Sequence, residues 1–124
     1  MVIQDSEVSI DEILYGAIEL ITTFGWQREG WSNFGAAPRC IRKAVWDSAA
    51  NMYPHVEVRR ESPANRAMRR VSEAIYDRRG AIGGINDWEY RKRTNQEAVI
   101  AVLRKAIEIG PAPEKPVVVK GTAF

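Results

Sequence analysis

Cys40 is the single cysteine of the chain and the first residue to weigh for chemistry. It lies just after Pro38, at the expected start of a helix, where unpaired backbone N–H groups favour a thiolate. Arg39 and Arg42 add positive charge beside it. Cysteine hydrolases place their nucleophile at such a helix start and take a histidine from elsewhere. His55 is the single histidine, and it falls near the far end of the same helix. About fifteen helical residues rise roughly 22 Å at 1.5 Å each, too far for a hydrogen bond. The expected role of Cys40 is therefore a small thiol on an apolar face, and a cysteine-dependent hydrolase is the weakest of three functional readings.

Other catalytic patterns are absent. The run Gly30-Trp31-Ser32-Asn33-Phe34-Gly35 is one residue too long for a G-x-S-x-G elbow and has no strand before it. Gly80-Ala81-Ile82-Gly83-Gly84 follows a helix and lacks dinucleotide-binding spacing. No spacing suits zinc or calcium, so no metal site and no cofactor are expected. Asn86-Asp87 reads as a turn or cap whose side chains bond nearby backbone.

The arginines and aromatics are a second theme. Arg66, Arg69 and Arg70 share one side of a helix, and Arg78 and Arg79 follow at its end. All five are expected to project away from the apolar stripe. Residues 59–105 hold twelve basic and six acidic side chains. Such a surface suits a protein partner or, in the second reading, the phosphates of a nucleic acid, with Trp88 and Tyr90 available for stacking. A sequence pI of 8.8 is modest for a nucleic-acid domain, and Glu73 and Asp77 lie one turn from Arg69 and Arg70, placed to pair with them. Tryptophan and arginine are enriched at binding hot spots. Trp31 and Phe34, in a glycine-rich loop, and Trp88 therefore join the arginines as candidate contact residues.

Four amphipathic segments must position these groups. The first, residues 9–24, opens with a Ser9/Glu12 capping box, and Ile10, Ile13, Leu14, Ala17, Ile18, Ile21 and Phe24 recur at helical spacing. The second, residues 38–53, has Pro38 at N1 and an apolar face of Ile41, Ala44, Val45, Ala49 and Met52, flanked by Cys40 and Trp46. The third, residues 62–79, starts with Ser62 as N-cap and buries Ala64, Ala67, Met68, Val71, Ala74 and Ile75. The fourth, residues 94–109, opens with a Thr94/Glu97 capping box and turns Val99, Val102, Leu103, Ala106 and Ile107 inward. Residues 25–37 and 80–93 read as aromatic loops packed over the helices. The fold class expected is all-α: one domain over residues 1–110, a bundle of four main helices, followed by an extended Pro-rich arm over 111–124. The Val117-Val118-Val119 run of that arm suits strand addition to a partner's sheet.

With 124 residues, 45% hydrophobic and 27% charged, the chain can build one real core without staples. No apolar run approaches the ~20 residues of a membrane span. An N-terminus without a basic, apolar leader and a lone cysteine fit a cytoplasmic protein, in a cell, an infected host or a virion. Charge is unevenly spread. Residues 1–24 carry five acids and no base, and the remainder carries 18 bases and 11 acids. This pattern suits a polyanion partner, or an acidic first helix docked on a basic neighbour.

Phe24-Gly25-Trp26, Arg39-Cys40-Ile41 with Ala44, Ile85-Asn86-Asp87, and Arg93-Thr94 with Glu97 and Val99 follow an ordered pattern. It resembles an uncharacterised family of small actinobacterial and phage proteins, with a G-W loop, an R-C-x-x-G-A helix start, a W-N-D turn and an R-T-x-x-E-V helix start. The similarity spans about residues 10–110. Lys43 replaces the family's glycine and Ile85 its tryptophan. The resemblance implies a compact helical domain without an assigned activity. The function expected is that of a non-enzymatic interaction protein, a phage-encoded accessory or virion-associated component.

Overall fold

The computed structural model describes residues 8–28, 36–53 and 62–111. These form five helices: α1 (Ile10–Phe24), α2 (Ile41–Met52), α3 (Pro63–Tyr76), α4 (Ile85–Glu89) and α5 (Gln96–Ile109). The fold is all-α. Among the described residues the single β feature is a parallel bridge between Trp26 and Arg39. Trp31, Phe34, His55 and the arm from residue 112 lie outside the described residues.

α1 forms as its pattern predicts. Ser9 accepts the Glu12 N–H, and Gly25 closes the helix at a positive φ of 97° that favours glycine. The return half of the capping box is replaced, because the Ser9 N–H donates to the Tyr53 hydroxyl at 2.9 Å. α1 packs on α2 and α5 and more lightly on α3, while α3 also packs on α5 and α2. Ile13, Leu14, Ile21, Ile41, Val45, Val71, Val99 and Leu103 are fully enclosed. A side chain of this size contributes about 1.5–3 kcal/mol by leaving water.

Three helix starts or ends differ from expectation. α2 begins at Ile41 with Cys40 as N-cap, not at Pro38. The reason is the bridge: the Arg39 N–H donates to the Gly25 carbonyl and the Gln27 N–H to the Arg39 carbonyl, which keeps residues 38–40 extended. α3 stops at Tyr76 because Asp77 enters the left-handed region at φ 52°. α5 is capped by Asn95, whose side chain accepts the Ala98 N–H at 2.8 Å, and Thr94 faces inward to donate to the Trp88 carbonyl at 2.7 Å. The expected loop 80–93 also contains α4, with Asn86 and Asp87 in its first turn rather than capping a turn.

Candidate functional site

A buried polar cluster joins the start of α2 to the end of α4. Glu89, only 1% exposed, accepts the Trp26 indole N–H at 2.8 Å and the Ile41 N–H at 3.0 Å on one carboxylate oxygen, Oε2. Its other oxygen, Oε1, is buried without a hydrogen-bond partner among the described residues. Burial pushes the Glu89 carboxyl above its ordinary range, against the opposing pull of those two donors. The Arg39–Asp47 ion pair, at 2.8 Å, is equally enclosed, and Arg39 lies over the Phe24 ring. Arg28 donates to the carbonyls of Glu89, Arg91 and Thr94 and stacks on Trp26. This cluster fixes the start of α2 against α4 and so sets where Arg42 stands.

Cys40 is buried beside this cluster. Its thiol is pushed up, first by burial and further by the nearby Glu89 charge, which outweigh the backbone N–H groups of α2 that pull it down. This reverses the thiolate-favouring environment expected from the helix start.

An open groove of about 740 Å³ runs between α2, α3 and the 82–87 segment. Asn65, Met68, Arg69 and Ser72 of α3 line it at i, i+3, i+4 and i+7, the spacing of one helix face. Arg42 rises from α2, and Ile82, Ile85 and Asp87 form the far wall. A side pocket continues it past Arg42, Asn65 and Met68 to Lys43 and Trp46. Two exposed apolar side chains border this surface, Trp46 at 50% and Ile82 at 77%. The far wall is fastened locally. Glu73 accepts the Gly80 N–H, and the Tyr76 hydroxyl donates to the Gly84 carbonyl at 3.1 Å. Gly84 has φ 74° and touches Tyr76 so closely that a side chain there would collide with its ring. Arg42, Lys43 and Arg69 outnumber Asp87, so the groove offers hydrogen-bond donors and positive charge around an apolar floor.

The five arginines expected to form one outward face divide. Arg69 lines the groove, Arg66 is half-buried and Arg78 is exposed. Arg70 does not project outward: it is 8% exposed, pairs with Asp11 and donates to the Ala106 carbonyl, because α1 and α5 close over that side of α3. Arg79 donates to the carbonyls of Ile109, Gly110 and Pro111 and so completes the end of α5. Glu73 turns inward to Gly80 and Arg79 instead of pairing along the helix surface, and Asp77 pairs with Lys105 of α5. Trp88 is half-buried against the core.

A family model described as "Family of unknown function (DUF6197)" matches residues 5–109. The chain belongs to that family. No curated protein and no solved structure matches it. The DUF6197 chain ties together the four stretches that carry the resemblance: Trp26 and Ile41 donate to the Glu89 carboxylate at the end of α4, Arg39 bridges to Trp26, and Thr94 donates to the Trp88 carbonyl. Those stretches hold the fold in register, and the groove lies beside them. Sequence reading missed Arg42, Lys43, Trp46 and Ile82 as groove residues. The available signal was their phase: Arg42, Lys43 and Trp46 fall off the apolar stripe of α2.

No helix among the described residues is long and apolar enough to cross a membrane, and none of their His, Cys, Asp and Glu side chains form a group of three suited to a metal ion.

Proposed function

We propose that this DUF6197 protein is a non-enzymatic protein-recognition module, a bundle of four main helices that binds an acidic, partly apolar segment of a partner protein in the α2–α3 groove. The observation that carries this reading is the pairing of Arg42 and Arg69 around Met68, with Trp46 and Ile82 exposed at the borders. Arginine and tryptophan beside apolar surface have the composition of a binding hot spot. The raised Cys40 thiol supports a non-catalytic role for that residue. A nucleic-acid surface is less favoured, because Arg70 and Arg79 are engaged within the fold.

The test uses a short fluorescein-labelled peptide of Glu, Leu and Phe, read by fluorescence polarisation. The expected result is binding that weakens at least about tenfold in R42E/R69E, the scale of losing one good charged contact, and is unchanged in R78E. Equal binding by the wild type and R42E/R69E overturns the reading. So does tighter, steeply salt-dependent binding of a thymidine oligonucleotide through the same two arginines.

A further inference from the structure

A second groove, about 550 Å³, lies between α1 and α2, and its chemistry is the complement of the first. Glu12 and Glu19 flank it, Leu20 and Met52 supply apolar surface, and Tyr15 stands 59% exposed. The basic groove has the same plan with the signs reversed: Arg42 and Arg69 flank Met68, and Trp46 stands 50% exposed. Each groove therefore pairs like-signed charges with one exposed aromatic.

Their placement on α2 decides what one copy can do. Arg42, Lys43 and Trp46 border the basic side, while Ser48, Asn51 and Met52 border the acidic side. At 3.6 residues per turn these two sets point about 180° apart around the helix axis. The same molecule cannot bring its own two grooves together, and a two-fold dimer cannot satisfy both at once. A second copy can fill either one.

We infer that the acidic α1–α2 groove of one copy docks on the basic α2–α3 groove of the next, so that the protein assembles head to tail with itself. This rests on the reading of the α2–α3 groove as a site for acidic, partly apolar protein surface, and names that surface as the chain's own α1 face. The contact joins unlike surfaces, so it propagates into an open chain or closes into a ring. Glu12 and Glu19 approach Arg42 and Arg69, while Tyr15 and Trp46 supply the apolar anchors. Because the charged groups are exposed, the contact weakens as salt screens them.

Sedimentation velocity over about a hundredfold range of protein concentration tests it. The expected result is concentration-dependent association beyond a dimer at about 50 mM salt, falling sharply at about 500 mM. E12K/E19K and R42E/R69E are each expected to remain monomeric, since each carries the same net charge sign on both grooves. An equimolar mixture of the two is expected to associate again, because every contact between unlike variants is then attractive. All four positions are exposed, and circular dichroism checks that the helices persist. A wild type that stays monomeric throughout overturns the inference, as does a mixture that stays monomeric or a variant that still associates. If the Glu-Leu-Phe peptide still binds the wild type in an Arg42/Arg69-dependent way, only self-assembly has failed. If that binding is absent too, both readings fall.

Discussion

The polar cluster around Glu89 and the groove around Met68 both set arginines beside aromatic or apolar side chains, yet they differ in their exposure to water. In the cluster, Arg39 is enclosed with Asp47, and Arg28 is half-buried with its guanidinium held by three carbonyls. In the groove, Arg42 and Arg69 are exposed beside Met68. A buried charge without its partner is costly, so the first set is bound to the fold. Exposed guanidiniums contribute little to stability, and Arg42 and Arg69 stand at the surface, where another molecule can reach them. The same contrast separates neighbours on α3, where Arg70 holds α1 and α5 and Arg69 faces the groove.

The largest break in this comparison is expected from E89A. It strands the buried Ile41 N–H, at about 1–3 kcal/mol, and the partly buried Trp26 indole N–H, which costs less, so urea unfolding should register a loss of roughly 2–4 kcal/mol. R42E/R69E in the groove should remain within about 1 kcal/mol of the wild type. If the groove variant proves the more damaging, the division into a structural and a recognition region is wrong.

A finer comparison sets R70A against R69A. Arg70 is expected to cost about 1.5–3 kcal/mol through its charged hydrogen bonds to Asp11 and Ala106, and Arg69 no more than about 0.5. Equal midpoints in thermal or urea unfolding would remove the distinction.

The smallest effect is in pH. The Glu89 carboxyl is raised in the native state, so the folded protein holds its proton more tightly than the unfolded chain does. Its contribution is therefore full below the ordinary glutamate range and falls as pH rises through that range to the raised native value. The stability of the wild type relative to E89Q should accordingly decline across that window. Urea midpoints that instead rise relative to E89Q would contradict the burial argument.

Much of the helical frame is readable in the chain because burial repeats at helical spacing. The α1 face from Ile10 to Ile21 and the stripe of Val99, Leu103 and Ala106 are instances. What was unreadable has one physical source: a repeat of apolar residues treats every charge as exposed. Arg39, Asp47, Arg70, Glu73 and Glu89 are buried because a partner outside the one-turn helical repeat is brought close enough to neutralise or bond them. Short-range ambiguity accounts for Thr94 and Asn95, adjacent residues each able to cap, between which the bond from Thr94 to Trp88 decides. α4 is too short to show a period, and it follows two glycines that read as a loop. The groove was partly legible, in Arg69, but its α2 side depended on which neighbour covered each face.

Gly16 gives the distance between α1 and α2 an unusual sensitivity. It rests against Ser48, whose hydroxyl donates to the Ile13 carbonyl at 2.7 Å, and a β-carbon at position 16 would overlap that hydroxyl. One hydrogen in place of a methyl thus sets how far the helices stand apart, and with it the width of the acidic cleft. Relatives that carry alanine at position 16 are expected to have surrendered the hydroxyl opposite, so the two sites vary as a unit.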